Sequence, residues 1–428
     1  MGTYDPVRMD WPRSALALGA LGIALALSSC QADAPVWHLA VESIDSPAPA
    51  GSGQPQLTVS DRGVLLSWVE QHDGETRLRF VERTTRGWSE PMTAARGTNW
   101  FVNWADVPSV LRLSAREVAA HWLEKNGSGT YAYDVRLSYS QDGGRSWSPP
   151  VTPHHDGTPT EHGFASLVHL PGEGLGVVWL DGRALHPAAA GAEDAHHGAM
   201  SLRFTRFDRD WWQGPEVVLD TRVCDCCPTT AVVTSAGVVA AFRDRSHGEV
   251  RDIAVTRRLA GDRWSEPAAV HDDGWHIAAC PVNGPMLSAR GRDVAVAWFT
   301  MQDDEGRAFV AFSRDGGAAF GPAVRLDDGA TLGRVDVELL PDGSAAATWI
   351  ELTGEGAEIR VRRVEASGDR SPAIRVARIE ASRSSGYPRM ALHGHELVFA
   401  WTETAPGRDE AGFHVRTARA TLPQMGSG

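Results

Sequence analysis

The sequence predicts an all-β protein, a seven-bladed β-propeller, from three observations. A short apolar run that ends in an aromatic residue and leads into a polar turn recurs seven times, at intervals of 51 to 63 residues. Each unit also has an earlier apolar run and a later alternating run, which together indicate four short antiparallel strands. Helical periodicity is nearly absent from the chain. The seven aromatic markers are Trp68, Trp122, Trp179, Phe242, Trp298, Trp349 and Trp401.

The two chain ends are expected to close this ring. The last unit ends near Leu422, after its third strand, whereas a strand-like stretch over residues 36–42 precedes the first complete unit. This N-terminal strand would supply the missing fourth strand and remove the open sheet edge. Six blades with one irregular unit is the alternative. We expect a single propeller domain over residues 55–423, followed by a tail over 424–428.

The first 29 residues have the features of a signal peptide. Arg8 and Arg13 precede an apolar run from Ala15 to Leu27, which is short for a membrane span and fits an h-region. The run ends in the sequence LSSC, which resembles a bacterial lipobox with Cys30 as the lipidated residue. An ordinary secretory signal is the alternative. Residues 30–54 would then form a lipidated tether plus the closing strand. The protein is expected to be a cell-envelope lipoprotein of the outer membrane, facing the periplasm or the exterior.

The charge of the chain excludes one class of partner. The formal net charge is −13, whereas proteins that bind nucleic acids carry basic patches. The expected partner is a small molecule or a glycan, with membrane contact through the lipid anchor alone and a monomeric state.

Two hairpin signals repeat at matching positions of units two and five. They read SQDGGRSW (140–147) and SRDGGAAF (313–320), and their key residues are Asp142, Trp147, Asp315 and Phe320. The aspartate can accept turn N–H groups, the glycines permit positive φ, and the aromatic ring packs between strands. These segments resemble the Asp-box of sialidase-like (BNR repeat) propellers. In that family the box is structural and lies on the face opposite the active site.

The whole mature chain resembles the sialidase-like superfamily, and several stretches are similar to uncharacterised bacterial lipoproteins, among them NWADVPS, WLDGR, CDCCPT and CPVNGP. If the protein is an enzyme, the resemblance implies a glycoside hydrolase of the exo-sialidase type. Sialidases use an arginine triad, a Tyr/Glu nucleophile pair and an aspartate, and also carry a Phe/Tyr-Arg-Ile-Pro motif, which is missing here. The candidate catalytic residues are Asp106, Asp181, Arg183, Arg243, Asp244, Tyr387 and Arg389; the three aspartates could also serve as paired carboxylates for another glycoside chemistry.

Two sets of loops are expected to meet at the mouth of the central channel. They are the loops that enter each innermost strand and those that follow each second strand, and most ionisable loop residues lie in them. The loop from Trp179 to Met200 is the longest, and its His186, His196 and His197 are either metal ligands or solvated residues. The candidate ligand-binding residues at this rim are Trp104, Glu161, His162, Arg245, His276, Asn283 and Arg334.

Four cysteines remain after Cys30, and the repeat places them next to one another. Cys224, Cys226 and Cys227 enter the innermost strand of unit four, and Cys280 enters that of unit five. Three interpretations stay open: two disulfides, a copper or zinc site of soft thiolate ligands, or a redox-active dithiol. If one cysteine pairs with Cys280, a local pair remains, for which the vicinal Cys226–Cys227 disulfide is one arrangement.

These observations predict a protein that binds or processes a ligand, with a glycan as a candidate, at the channel-mouth rim. The first alternative is an accessory protein that binds copper or zinc through the four cysteines. The second is a scaffold for protein interactions, which propellers often provide.

Overall fold

The structure is a computed structural model, and it describes residues 37–185, 198–354, 356–404 and 412–423. Several sequence-based predictions lie outside these ranges and remain predictions. They are the signal peptide, the lipidation of Cys30, the metal-binding role of His186, His196 and His197, and the tail over 424–428. Within the described ranges, no helix has the length and apolar character needed to cross a membrane.

In the part of the chain that the structure describes, twenty-eight strands form seven antiparallel sheets, numbered here as blades one to seven in chain order. Blade one has β2 (Ser52–Ser60), β3 (Gly63–His72), β4 (Glu75–Thr84), β5 (Gly87–Trp88) and β6 (Met92–Gly97); blade two has β7 (Ser109–Arg112), β8 (Val118–Lys125) and β9 (Tyr133–Ser140); blade three has β10 (His162–Leu170), β11 (Gly174–Asp181), β12 (Met200–Phe207) and β13 (Val217–Val223); blade four has β14 (Thr230–Thr234), β15 (Gly237–Arg243), β16 (Ile253–Arg257) and β17 (Ala268–Ala269). Blade five has β18 (Met286–Arg290), β19 (Asp293–Gln302), β20 (Glu305–Ser313) and β21 (Val324–Arg325); blade six has β22 (Thr331–Leu339), β23 (Ala345–Thr353), β24 (Gly356–Val364) and β25 (Ile374–Ile379); blade seven has β26 (Arg389–His393), β27 (Glu396–Thr404), β28 (Phe413–Thr421) and β1 (Val41–Ile44). Within the described residues, the 3₁₀ turn η1 (Arg183–Leu185) follows β11.

The seven-bladed propeller is confirmed, and the six-bladed alternative is wrong. Every aromatic marker lies in the second strand of its blade, and all seven side chains are buried. In blades two to six the strands lie side by side in chain order, each antiparallel to its neighbour, whereas β6 of blade one pairs with β4 and β1 pairs outside β28 in blade seven. The recurring aromatic run therefore marks the second strand of each blade.

The N-terminal strand closes the ring, as predicted. β1 pairs with β28 of blade seven, from Val41 opposite Ala420 to Ile44 opposite Thr417. The strand begins at Val41, later than the predicted 36–42 stretch. Trp37 and Leu39, which precede it, are buried in the core between blades six and seven. Their apolar character gave the strand-like signal, although they pack as an extended lead-in to the strand.

The hydrophobic core lies between the blades. Seven buried clusters each combine side chains of two adjacent blades, including blades seven and one. Trp68 of blade one, for example, packs with Ala400 and Val415 of blade seven. Each blade thus buries one face against each neighbour, which explains why its strands are apolar along most of their length.

Blade two has three full strands instead of the predicted four. Its outer strand is reduced to one bridge between Val151 and Leu137. Pro149 and Pro150 precede this bridge and Pro153 follows it. Proline has no backbone N–H, so it cannot continue a ladder of hydrogen bonds.

Both Asp-box segments form the expected hairpin turns. The Asp142 carboxylate accepts hydrogen bonds from the backbone N–H groups of Arg145 and Ser146, at 3.0 and 2.9 Å. Asp315 makes the same pair of bonds to Ala318 and Ala319. The turns lie between third and fourth strands, on the face opposite the loops described next.

Candidate functional site

One face of the propeller collects the loops that enter the innermost strands and those that follow the second strands. In blades two and three these loops bring three oxygen-bearing side chains together. Asp106 lies in the loop before β7, Tyr133 is the first residue of β9, and Glu161 directly precedes β10. The Tyr133 hydroxyl is 2.9 Å from Oδ2 of Asp106 and 2.8 Å from Oε1 of Glu161. We call these three residues the carboxyl–tyrosine group.

The main chain holds this group tightly. Tyr133 and Glu161 form an isolated parallel bridge, and the Tyr133 N–H donates to the Thr160 carbonyl at 3.2 Å. Gly163 lies against the group, since a Cβ there would come within 2.1 Å of Oδ2 of Asp106. Only glycine leaves room for the carboxyl at that position.

Burial shifts the acidity of all three residues. Burial raises the pKa of Asp106 to about 7, against the lowering effect of its hydrogen bonds to Phe164 and Tyr133. Burial, together with the charges of Asp106, Asp225 and Cys280, raises the pKa of Glu161 to about 8. Burial and the charges of Asp106 and Glu161, together with its hydrogen bonds to both, raise the pKa of Tyr133 well above its ordinary value. Two carboxyls that titrate near neutral pH are therefore joined by one hydroxyl.

The members of the group differ in access to ligand. Asp106 and Tyr133 are buried, whereas Glu161 is partly exposed. Oδ1 of Asp106 is buried without a hydrogen-bond partner, and Asp106 lines a cavity of about 120 Å³ along the central channel. Glu161 is thus the member that a ligand on this face can reach.

A larger cleft lies on the side of blades one and seven. Its volume is about 580 Å³, and Gln54, Asn103, Trp104 and Arg383 are among the residues that line it. Asp106, Tyr133 and Glu161 do not line it, but Trp104 belongs to the same loop as Asp106.

Arginine and aromatic side chains stack beside this cleft. The Arg334 guanidinium lies 4.7 Å from the Trp104 ring centre, and Trp104 stacks on Tyr387 at 5.9 Å. Arg389 lies 5.3 Å from the Tyr387 ring and is buried. The Tyr387 hydroxyl donates to the Val282 carbonyl at 2.5 Å. These contacts hold Tyr387 inside the protein.

Arg243 and Arg334 bind backbone carbonyls. Buried Arg243 donates to the carbonyls of Asn283, Arg251 and Phe299, at 2.6 to 2.8 Å. Arg334 donates to the Ser382 and Gly386 carbonyls, and Oδ1 of Asn283 accepts from its backbone N–H. Both guanidiniums join neighbouring loops in this structure.

The four cysteines of the described residues lie at the same channel mouth and are unpaired. The Sγ atoms of Cys224 and Cys227 are 2.9 Å apart, and those of Cys224 and Cys226 are 3.9 Å apart. The neighbouring Cys226 thiol lowers the pKa of Cys280, which places Cys280 of the blade-five loop near the three cysteines of blade four. The nearest pair is therefore Cys224 and Cys227, and not the vicinal pair.

Charged side chains surround the cysteine cluster. Arg251 contacts Sγ of Cys224 at 3.4 Å and Glu249 at 2.8 Å. Arg245 pairs with Asp225 and Glu249, at 3.1 and 2.8 Å. Asp244 accepts from the Arg245 N–H, and burial raises its pKa. His276 is exposed on the loop that also carries Cys280.

Asp181, Arg183 and His162 belong to a separate cluster in blade three. Arg183 donates to Asp181 at 2.7 Å and to Glu216 at 2.8 Å. Nε2 of His162 lies 3.0 Å from Oδ2 of Asp156 and 3.8 Å from Oδ1 of Asp181. The predicted catalytic residues therefore fall into distinct contact groups: one around Asp106, one around Tyr387 and Arg389, one around Arg243 and Asp244, and one around Asp181 and Arg183.

Sequence reasoning missed Tyr133 and three residues beside it or nearby: Asp134, His154 and Asp156. Tyr133 begins a strand, whereas the sequence-based prediction of the rim includes only loops. The sequence does indicate that Tyr133 lies at the rim, because it is the first residue of a third strand, directly after the loop from the second strand. No pattern in the sequence indicates that it contacts Glu161, since that contact depends on how blades two and three pack.

A scan against protein-family models and a search of curated proteins each found no match to this chain. Similar solved structures were found. The polysaccharide lyase Uly1 aligns over 89% of this chain and 91% of its own, with a TM-score of 0.52 and 10% identity. An α-L-arabinanase from Penicillium chrysogenum aligns over 91% and 99%, with a TM-score of 0.46 and 11% identity.

A sialidase from Trypanosoma rangeli aligns over 82% of this chain and 59% of its own, with a TM-score of 0.46 and 10% identity. At such identities the similarity concerns the fold and not the chemistry. Together with the seven sheets and the closing strand, the similarity to Uly1 identifies the protein as a seven-bladed β-propeller.

Proposed function

We propose that the protein binds and cleaves a polysaccharide at the channel mouth, with Glu161 as the acid–base residue. The observation that carries this proposal is the Tyr133 hydroxyl held between two carboxyls, at 2.9 and 2.8 Å. A carboxyl whose pKa lies near neutrality can both donate and accept a proton at working pH, which is what glycosidic bond cleavage requires.

The three residues have different roles in this proposal. Tyr133 has one proton and can donate it to only one carboxylate at a time, so the other carboxyl favours its own proton. Glu161 is partly exposed and is the residue proposed to touch the substrate. Asp106 and Tyr133 are buried and act through Glu161 as positioning residues.

The neighbouring cleft supplies a binding surface. Trp104 offers an aromatic face, and Gln54, Asn103 and Arg383 offer polar groups within a volume of about 580 Å³. Apolar walls with a few polar groups are typical of ligand sites. The substrate class is suggested by Uly1, which is described as a polysaccharide lyase and shares the fold. A cell-envelope location through Cys30 belongs to the same proposal.

The test is cleavage of a polysaccharide panel by the purified protein. The panel contains arabinan, sialylated glycans and uronate-rich polysaccharides, and the measurements are new reducing ends and the absorbance of unsaturated products. For the polysaccharide that is cleaved, we expect Glu161→Gln to lower the rate of cleavage at least about 100-fold, because general acid–base groups contribute about 10²–10⁴-fold to the rate. The control is Glu173→Gln, which changes an exposed glutamate in the β10–β11 turn.

Two results would contradict the proposal. One is a panel in which no polysaccharide is cleaved. The other is a Glu161→Gln variant that cleaves as fast as the parent while Glu173→Gln behaves identically.

A further inference from the structure

Two buried histidines behind the carboxyl–tyrosine group stack on each other and share their carboxylate partners. The rings of His154 and His162 are 3.8 Å apart and nearly parallel, at 5°. His162 is completely buried, and the side chain of His154 is 4% exposed. Asp134 and Asp156 flank the pair on two sides.

One nitrogen of each histidine faces Asp156. Nε2 of His162 lies 3.0 Å and Nδ1 of His154 lies 3.4 Å from the same oxygen, Oδ2 of Asp156. A carboxylate that holds the outer nitrogen of a histidine fixes the ring and leaves the other nitrogen free to bind a metal. Asp156 is placed to do this for both rings.

The other two nitrogens face Asp134. Nδ1 of His162 is 3.5 Å and Nε2 of His154 is 3.7 Å from Oδ1 of Asp134. These separations are too long for good hydrogen bonds. They are near the roughly 3.3 Å between two ligands of one tetrahedral zinc ion, given bonds of about 2.0–2.1 Å. All three ligand atoms lie within 4.8 Å of one another.

A second observation points to a ligand at the same place. Nε2 of His154 is buried and has no hydrogen-bond partner. A buried polar atom without a partner costs about 1–3 kcal/mol, and a bound ion would remove that cost. The Thr160 carbonyl, 3.2 Å from Nδ1 of His162, can either accept from that nitrogen or supply a fourth ligand.

We propose that Asp134, His154 and His162 form a binding site for a divalent transition metal such as zinc, with Asp156 as the positioning residue. Two imidazoles and one carboxylate suit zinc and its neighbours in the first transition row. The side chain of Asp134 is 23% exposed, which gives the ion a route from solvent. The site is separate from the four cysteines.

The location gives the metal a mechanical role. Asp134 directly follows Tyr133, and His162 directly follows Glu161. Successive residues of extended chain point to opposite sides. A metal bound to Asp134 and His162 would therefore link the two backbone segments that present Tyr133 and Glu161 on their opposite side.

The test is zinc titration of the full chain after removal of bound metal with a chelator. A variant with Cys224, Cys226, Cys227 and Cys280 all changed to serine isolates the proposed site, and calorimetry measures binding. We expect one zinc equivalent, a higher Tm with zinc, and an affinity at least about 100-fold lower in His154→Ala, since one of three protein ligands is lost. Asp156→Asn should keep the stoichiometry and lower the affinity about 10–100-fold.

His155→Ala is the matched control, because His155 is the next residue and its side chain is 67% exposed. It should bind zinc as the parent does. Cobalt binding to the unmodified chain gives a measurement that does not depend on the cysteine variant. A visible cobalt spectrum should be lost in His154→Ala and kept in His155→Ala. The proposal is overturned if the cysteine-free chain folds and binds no zinc, or if His154→Ala binds zinc or cobalt as tightly as His155→Ala.

Discussion

Asp106 is a carboxyl that the fold removes from water without giving it a cationic partner. Its contacts are the Tyr133 hydroxyl and the backbone near Phe164, and one of its oxygens has no hydrogen bond. Burial without a counter-charge favours the protonated form. The residue is therefore a source of pH dependence for the whole protein as well as part of the proposed site.

Asp106→Asn is expected to flatten the dependence of stability on pH. The ordinary pKa of aspartate in an unfolded chain is about 3.9, and the folded value is about 7. Between these values the folded state holds a proton that the unfolded state has lost, so the free energy of unfolding decreases as pH rises from about 4 to about 7. Asparagine removes this decrease.

The decrease in the free energy of unfolding that Asp106→Asn removes amounts to at most about 4 kcal/mol, at 1.36 kcal/mol for each pKa unit. Urea unfolding at pH 5 and pH 8 measures it: the variant should gain stability relative to the parent at the higher pH. Asp61→Asn, at an exposed turn, is the control and should follow the parent. An equal difference between Asp106→Asn and the parent at both pH values would refute the assignment.

The sequence could indicate Asp106 and Glu161 at this scale, because acidic residues at a propeller rim are natural candidates. It could not indicate that Tyr133 contacts both carboxyls, or that Asp134, His154 and His162 converge. The Tyr133 contacts join residues 27 and 28 positions apart, through strands of two blades. Which strand-end residues meet across a blade boundary depends on packing, and no local pattern encodes it.

At the scale of elements, the loops before β14 and β18 bring the cysteine thiols of blades four and five close to one another. Two thiolates bound to one metal would lie roughly 3.7 Å apart, given bonds of about 2.3 Å. The 2.9 Å between Cys224 and Cys227 is shorter. This spacing favours a Cys224–Cys227 disulfide, which would leave Cys226 and Cys280 as the remaining pair.

We expect protein purified without reductant to contain the disulfides Cys224–Cys227 and Cys226–Cys280. The second would close a loop of about 55 residues and stabilise the fold by about 4 kcal/mol. Peptide mapping by mass spectrometry identifies the pairs, and reductant should lower the Tm of the parent more than that of Cys280→Ala. Four free thiols with bound copper or zinc would support the metal alternative instead, and a Cys226–Cys227 link would contradict this pairing.

At the scale of the whole molecule, stability comes from a closed series of seven interfaces. Each cluster of buried side chains belongs to two blades, so no blade is complete without both neighbours. This architecture is what the repeat made predictable. The seven regularly spaced aromatic markers predict seven blades. The missing fourth strand of the last unit predicts that the N-terminal strand closes the ring. The reduced outer strand of blade two follows from its prolines, which the expectation of four equal strands overlooked.

Removal of β1 is expected to destabilise the entire propeller. A chain that begins after Ile44 loses the ladder to β28 and the buried side chains of Trp37 and Leu39. Burial of two such side chains contributes about 3–6 kcal/mol. Urea unfolding measures the loss. A chain that begins at Trp37 keeps all these contacts and is the control. The prediction is wrong if the two truncated chains unfold at the same urea concentration.

The partners of β1 lie at the opposite end of the chain: the Thr417 hydroxyl, for example, donates to the Ile44 carbonyl across 373 residues. A ribosome makes β1 among the first elements and β28 last. During synthesis the early blades can pack on one another, but the final interfaces cannot form until β28 has been made. Any chain released before that point is an open arc with an unpaired strand edge, which is a site for aggregation. Correct folding of this protein therefore depends on synthesis of β28 (Phe413–Thr421).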